Sequence, residues 1–233
     1  MKRTMLWILP LAGLLAFSSC NDDESPFEPE ADAFILSEVN EDGAPVFAPV
    51  FYVYGNKDID VVTVQTPMGD EIELGPDGNL SSRFKWEPSE EDFEQTPPQG
   101  GTYSFDILAA NGEEVELTDE LGSGALSPVD IYAAEVESNI LEMEWSEAQG
   151  ALAYTLRIHS ITEDGERQIY GSNFIETDSL RLNPAQENFE TQPNVGEDYI
   201  LEIQAYMFED GTQSEFEYNI QAISSAKDTV TWN

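Results

Sequence analysis

The chain has 233 residues and a formal charge of −38, because 47 Asp and Glu face only nine Lys and Arg. A surface this acidic repels phosphate backbones and anionic lipid surfaces, which argues against nucleic-acid binding. The single cysteine allows no intramolecular disulfide, and with only one histidine beside it the chain lacks the ligands of a structural zinc site.

The N-terminus has the order of a secretory signal. Two basic residues begin the chain, an apolar run follows from Met5 to Phe17, and small residues lead up to Cys20. The apolar run has about 13 residues, whereas a membrane-spanning helix needs roughly 20, so it is too short for a stable transmembrane anchor. We therefore predict a cleaved signal peptide over residues 1–19.

The residues around Cys20 resemble those of a known class. Phe17-Ser18-Ser19-Cys20 resembles the lipobox of bacterial lipoproteins, in which the cysteine is acylated and becomes the N-terminus. Asn21-Asp22-Asp23-Glu24 resembles the acidic export tag that Bacteroidota place after that cysteine. The resemblance implies a lipid on Cys20, an outer-membrane location and display at the cell surface. An inward-facing periplasmic position is the alternative.

The rest of the chain predicts an all-β protein. Residues 20–31 are acidic and contain two prolines, which indicates an extended tether. Beyond them, short alternating segments are separated by Gly, Pro, Asn and Asp. Residues 101–109 have a Tyr-x-apolar-x-Ile-x-Ala spacing that is found again at 199–205. We predict an immunoglobulin-like β-sandwich over residues 32–121.

The second half has the clearer strand pattern. Residues 140–145, 153–159 and 199–205 each alternate between apolar and polar side chains, as half-buried strands do. Gly122-Ser123-Gly124 is a plausible linker in front of them. We predict a second β-sandwich over residues 126–233.

These strands resemble those of a fibronectin type III domain. Leu141-Glu142-Met143-Glu144-Trp145 resembles that family's second strand with its core tryptophan, and residues 153–158 resemble the third. Residues 196–205 resemble the sixth strand, with Tyr199 in the place of the corner tyrosine. The resemblance covers about residues 126–225 and implies a fold, not a ligand.

Catalytic chemistry is not indicated. His159, the only histidine, falls on the outward face of its strand, where we expect a surface histidine without a catalytic role. Two carboxylates across a cleft can hydrolyse glycosides, but among 47 acids such a spacing arises by chance. We predict that the protein is not an enzyme, and a carboxylate-dependent hydrolase is the alternative of another class.

Three loops are rich in the oxygen ligands that calcium prefers, at residues 40–43, 56–60 and 87–92. None has the spacing of an EF-hand loop. No cofactor or metal site is therefore predicted, and weak calcium binding stands beside the simpler interpretation of solvated acidic loops.

Aromatic side chains in polar segments are the candidate ligand-binding residues. Such side chains can stack on sugar rings, anchor a protein partner or cap an open end of a sandwich. If Trp86 and Phe93 were exposed together on one surface, ligand capture would be favoured, whereas burial would favour a spacer. The candidates are Phe84, Trp86, Phe93, Tyr170 and Phe174.

These features together predict a non-catalytic, lipid-anchored module for binding or scaffolding in an outer-membrane assembly, with glycan capture or adhesion as its finer form. The expected partners are the membrane, through the lipid on Cys20, and a glycan or an envelope protein. A structural spacer, or a subunit of a periplasmic complex, is the alternative.

Overall fold

A computed structural model describes residues 25–163, 165–209 and 219–233. Within these ranges the chain is almost entirely β, with short 3-10 helices at Glu90–Asp92 and Pro184–Gln186, and no helix there is long and apolar enough to span a bilayer. The strands are β1 (Pro29–Val39), β2 (Pro45–Gly55), β3 (Ile59–Gln65), β4 (Glu71–Glu73), β5 (Gly75–Asp77), β6 (Leu80–Trp86), β7 (Gly101–Ala109), β8 (Glu114–Leu121), β9 (Ile131–Glu137), β10 (Ile140–Trp145), β11 (Ala153–Thr162), β12 (Gly165–Gly171), β13 (Ser179–Leu182), β14 (Asp198–Phe208) and β15 (Ile220–Thr231).

The folded part begins earlier than the sequence indicates. The predicted signal peptide, Cys20 and the acidic segment at 21–24 lie outside the described residues. β1 already starts at Pro29, and Phe27 is buried, with its backbone N–H donating to Glu113 Oε2 at 2.8 Å. Residues 27–31, which were expected in the tether over residues 20–31, therefore belong to the folded part.

The first half forms a β-sandwich. β1, β2, β6 and β5 lie side by side in one sheet, and β4, β3, β7 and β8 form the other. The alternation in β7 buries Tyr103, Phe105 and Ile107 on one face. Phe51 of β2 meets them from the opposite sheet, with its ring centroid 5.4 Å from that of Tyr103 and 6.4 Å from that of Phe105. This packing confirms the sandwich predicted for the first half.

The second half forms another sandwich. β13, β10 and β9 make one sheet, and β12, β11, β14 and β15 face it. Trp145 of β10 is fully buried, with its ring centroid 5.7 Å from that of Tyr154 on β11. The Tyr199 hydroxyl accepts a hydrogen bond from the backbone N–H of Asn194 at 2.8 Å. A buried tryptophan and a tyrosine corner are features of such sandwiches, and both stand where the sequence predicts them.

The two sandwiches share one sheet. β1 pairs in parallel with β15, with Ile35 opposite Ala222, so the joined sheet has the order β12-β11-β14-β15-β1-β2-β6-β5. The paired strands come from opposite ends of the described chain. Since parallel neighbours are not joined by a hairpin, no turn signal marks the pairing in the sequence. The sequence predicts the two sandwiches but not the strand pair that fuses them.

Candidate ligand-binding groove

A groove of about 1490 Å³ runs across the outer face of the joined sheet, the face turned away from both sandwich cores. Its floor consists of outward side chains of β11, β14, β15, β1, β2 and β6. Residues 87–93 and 171–174 also line it, from the first and second sandwich respectively. The groove therefore exists only because β1 and β15 join the two sheets.

Apolar side chains stand in register along the middle of the floor. Tyr206 lies opposite Ile223, Ile223 opposite Leu36, and Leu36 opposite Ala48. Side chains of paired residues point to the same face of a sheet, so these four form a row across four strands. Phe34 and Leu36 pack against a second hydrophobic cluster, separate from the main core, which consists of Ala153, Tyr206, Phe208, Ile220 and Ile223.

Three aromatic rings form a platform at one end of the groove. The centroid of Phe174 lies 5.5 Å from that of Tyr206 and 5.9 Å from that of Phe208, and both contacts are edge-to-face. Tyr206 and Phe208 are nearly parallel, at an interplanar angle of 13°. Tyr206 and Phe208 are buried, whereas Phe174 is 42% exposed. Phe174 is thus held by its edge contacts while much of its surface faces solvent.

A chain of polar contacts lies beside the platform. The Tyr206 hydroxyl donates to Gln204 Oε1 at 2.7 Å, and Gln204 Nε2 donates to Glu202 Oε1 at 2.9 Å. The other carboxylate oxygen of Glu202 lies 3.1 Å from His159 Nε2. His159 is on the outward face, as predicted, but its side chain is only 13% exposed and it has a carboxylate partner. The prediction of an exposed surface histidine is therefore wrong, because the side chain of His159 is mostly buried.

Basic side chains are concentrated in the groove. Among the described residues, four of the seven Lys and Arg line it, against seven of the 40 Asp and Glu, so the lining is much less acidic than the rest of the chain. Lys85 is held by Glu87 at 2.8 Å and Asp77 at 3.2 Å, and Lys227 by Glu166 at 2.9 Å. Burial disfavours their charge, but these carboxylates outweigh it and raise the pKa of both lysines. The four residues are Arg83, Lys85, Arg157 and Lys227.

The two arginines of the groove have no carboxylate partner among the described residues. Ion pairs within 4.0 Å in residues 25–163, 165–209 and 219–233 involve neither Arg83 nor Arg157. Arg157 stands opposite Glu202 in the sheet register, but that carboxylate is bonded to His159, Gln204 and Ser225 instead. Arg83 lies over the Tyr54 ring, 5.5 Å from its centroid.

Three carboxylates meet at the seam between the sandwiches. Asp32 of β1 is 2% exposed and accepts the backbone N–H groups of Asn219 (3.3 Å) and Ile220 (3.2 Å). Burial and the charge of Asp119 raise the pKa of Asp32 to about 8 despite these two donors. Burial and the charges of Asp119 and Glu120 raise the pKa of Glu209 to about 7. Ionisation of this cluster therefore opposes the contacts at the seam.

The structure separates the five aromatic candidates into two groups. Phe93 and Phe174 line the groove. Phe84 is a member of the main core, Trp86 packs against that core with its ring 5.7 Å from Phe51, and Tyr170 is buried and stacks on Phe189 at 4.5 Å. Trp86 and Phe93 thus do not form one exposed surface, and a ligand-binding role stays a prediction for Phe93 and Phe174.

Two of the three oxygen-rich loops use their side chains to hold their own backbones, and in the loop at 56–60 Asn56 and Asp58 bind Glu28 and Ser81. Asn40 Oδ1 accepts the N–H groups of Asp42 and Ala44, and Asp92 Oδ2 accepts the N–H and hydroxyl of Ser89. Over the part of the chain that the structure describes, no group of three His, Cys, Asp or Glu side chains is placed to hold a metal ion. The oxygen-rich composition of these loops is thus the one observation that supports weak calcium binding.

Sequence reasoning missed most of the groove. The alternation in β11 predicts that Thr155, Arg157 and His159 point outward, but it gives no reason to expect more than ordinary solvated positions. Tyr206 carries no signal that it shares a surface with Leu36 and Tyr52, because β14 is connected to β1 and β2 only through the β1–β15 contact. The one usable hint is the scarcity of basic residues, since two of the few lie close together at 83 and 85.

Comparison with known proteins gives structural neighbours only. No family model and no curated protein matches the chain. A two-domain fibronectin type III segment of chicken tenascin is 11% identical, covering 78% of this chain and 91% of its own, with a TM-score of 0.29. The fold is all-β.

Two further neighbours are larger than this chain. A tetra-tandem repeat from the extending region of a large adhesion protein is 12% identical over 88% of this chain and 50% of its own, with a TM-score of 0.26. Dimeric latent PorU from Porphyromonas gingivalis is 11% identical over 93% of this chain and 21% of its own, with a TM-score of 0.27. At these scores none of the three carries an argument about function.

Proposed function

We propose that the protein is a non-catalytic, lipid-anchored module that binds an extracellular ligand in the groove, as a component of an outer-membrane assembly. The observation that carries the proposal is the aromatic platform of Phe174, Tyr206 and Phe208, with Phe174 42% exposed on the groove wall. An exposed aromatic ring that is held in place by two buried rings, beside hydrogen-bonding groups, is the composition of a recognition site. Glycan capture or adhesion is the finer form of this function.

The anchor and the location are supported by the sequence. The order of charged, apolar and small residues before Cys20 supports acylation, and the acidic residues 21–24 support surface display. Protease treatment of intact cells, with an immunoblot for this protein and for a periplasmic control, tests display. Loss of this protein with survival of the control is the expected result, and its protection would place it inside the envelope.

The groove is tested by comparing two exposed aromatic residues. Phe174→Ala removes the exposed ring of the platform, and Tyr132→Ala removes a ring that is 60% exposed on β9 of the separate three-stranded sheet. The full chain and both variants are applied to a glycan array and to an envelope pull-down. We expect Phe174→Ala to lose at least fivefold in binding and Tyr132→Ala to bind as the parent does. Equal binding by all three proteins would show that the ligand does not bind in the groove.

A structural spacer is the second candidate, and the fused sheet favours it. Continuous pairing across β15 and β1, together with the Gln221 side chain bonded to Gly122 and Gly124, makes the junction stiff. A spacer needs a fixed distance and no ligand. If the protein is a spacer, variants that loosen the junction should impair assembly of the envelope complex and Phe174→Ala should not. Impairment by Phe174→Ala and not by the junction variants would support ligand binding.

A further inference from the structure

We infer that the ligand of the groove is an acidic oligosaccharide, an extended sugar chain that carries carboxylate or sulfate groups. This inference rests on the proposed binding function and names its ligand class. It draws on three features of the groove: arginines without carboxylate partners in the part of the chain that the structure describes, aromatic rings beside amide groups, and a position mainly on the sheet face rather than at a sheet edge.

The arginines indicate an anionic ligand. In a chain with 47 acids and nine bases, a basic side chain readily finds an acidic neighbour, as Lys85 and Lys227 do. Arg157 does not, even though Glu202 faces it, because the contacts of Glu202 with His159, Gln204 and Ser225 hold its carboxylate. The forked donors of a guanidinium suit a carboxylate or sulfate group, so Arg157 is a ready anion site.

The separation of the arginines indicates a chain rather than a small molecule. Arg157 is on β11 and Arg83 on β6, and β14, β15, β1 and β2 lie between them. Five strand spacings of about 4.8 Å put the two positions at least roughly 24 Å apart, and the strand registers offset them further along the strands, by about ten residues. A ligand that reaches both must be elongated and must carry acidic groups at more than one point.

The lining favours a sugar chain over an acidic peptide. Sugar rings present an apolar C–H face to aromatic rings and hydroxyl groups to amides, and the groove offers Phe174 and Phe93 together with Gln168, Asn173 and Gln204. Extended peptides usually bind by adding a strand to a free sheet edge. The edges of this sheet are β12 and β5, which supply Gln168 and Asp77 to the ends of the groove, whereas most of the groove lies over the strands between them, where backbone groups are already paired.

The test measures binding of four probes to the full-length chain in detergent by isothermal titration calorimetry. The probes are a decamer of galacturonate, a sulfated galactan decamer, neutral maltodecaose and a peptide of twelve glutamates, each long enough to reach both arginines. Arg157→Gln and Arg83→Gln remove one charge each from the groove. Arg181→Gln is the matched control, since Arg181 lies on β13 of the other sheet and pairs with Glu142.

We expect at least one acidic decamer to bind, with affinity at least fivefold lower in each groove variant and unchanged in Arg181→Gln. Raising the salt concentration should weaken this binding, as it does for charge pairing near a surface. The carboxylated and sulfated probes distinguish the two kinds of acidic group.

The inference is overturned if maltodecaose binds as tightly as the acidic probes and its affinity is the same in both arginine variants; the groove would then still be a binding site. Arginine-dependent binding of the glutamate peptide alone, or binding of none of the four probes, would overturn it as well. The glycan array and pull-down with Phe174→Ala then decide the proposed function separately.

Discussion

Gln221 holds the linker between the sandwiches through a reciprocal pair of hydrogen bonds with Gly122. The Gly122 N–H donates to Gln221 Oε1 at 3.0 Å, and Gln221 Nε2 donates back to the Gly122 carbonyl at 3.1 Å. The same Nε2 also donates to the Gly124 carbonyl at 2.8 Å. A Cβ at position 122 would stand 2.6 Å from Gln221 Oε1, so glycine is needed there for close approach. A segment with the composition of a flexible linker is therefore fixed.

Gln221→Ala should release this linker and destabilise the fold. The substitution removes three hydrogen bonds from a side chain that is 7% exposed, with an expected loss of about 2 kcal/mol in the free energy of unfolding. Urea unfolding measures the loss, and limited proteolysis should show a new cut at residues 122–124. Gln65→Ala, at an exposed position of β3, is the control. Resistance of both variants to cleavage would show that sheet pairing alone fixes the junction.

Tyr199→Phe should weaken the second sandwich without changing its fold. It removes the hydroxyl that accepts the Asn194 N–H and leaves that donor half-buried, a loss of about 1 kcal/mol. Tyr103→Phe removes the equivalent bond of the first sandwich, from the hydroxyl to the Gln99 carbonyl at 3.0 Å. The melting temperature should fall in both variants, whereas Tyr132→Phe, at an exposed position, should leave the melting temperature unchanged. An equally large fall in the melting temperature of Tyr132→Phe would show that the loss does not come from the hydrogen bonds of the Tyr199 and Tyr103 hydroxyls.

Stability should fall as the pH rises from about 4 to about 8, because Asp32 has a pKa of about 8 in the folded protein against 3.8 for an ordinary carboxyl. The folded state then holds a proton that the unfolded state has released, so its advantage is complete at low pH and is lost towards pH 8. Glu209, with a pKa of about 7, acts in the same direction.

Asp32→Asn carries no charge, but its single amide oxygen accepts only one of the two N–H groups, since Asn219 donates to Oδ1 of Asp32 and Ile220 to Oδ2. We expect it to be more stable than the parent at pH 8 by about 2 kcal/mol, less than the full pKa shift implies because Asp119 and Glu209 share the proton and one donor loses its acceptor. This advantage should be absent near pH 4, where Asp32 is protonated in the folded protein. Urea unfolding of both proteins at pH 4, 6 and 8 measures their free energies of unfolding. Parallel pH profiles of the two proteins would show that Asp32 is not the source of the pH dependence of stability.

Phe174→Ala should leave the fold nearly as stable as the parent, which makes its binding result interpretable. Its ring is 42% exposed, so truncation should cost less than about 1.5 kcal/mol. Phe208→Ala, in contrast, removes a ring that is 6% exposed in the second hydrophobic cluster, and should cost about 3 kcal/mol. Thermal unfolding of the two variants side by side checks the difference. Comparable losses would mean that Phe174 is a packing residue rather than part of a binding surface.

Much of the fold follows from local pattern. Strands such as Ile140–Trp145 and Gly101–Ala109 have the bounds that alternation indicates, because side chains point to opposite faces at every second residue and burial acts on one face. Trp145 and Tyr199 stand in their predicted environments for the same reason. The candidate aromatic residues are harder to place from sequence, since Phe84 and Trp86, which we expected in a polar segment, lie on strand β6 against the core.

The sequence by itself determined that this is an acidic, all-β chain of two sandwiches, since composition and period-two alternation are local properties. Only the tertiary structure decided that β1 and β15 join the sheets, that Gln221 closes on the linker, and that Phe174, Tyr206, Arg157 and Arg83 face one groove. These relationships connect residues up to nearly two hundred positions apart, such as Asp32 and Ile220, which are 188 apart. Pairing between such distant strands depends on the packing of both sandwiches together, and no short stretch of sequence carries that information.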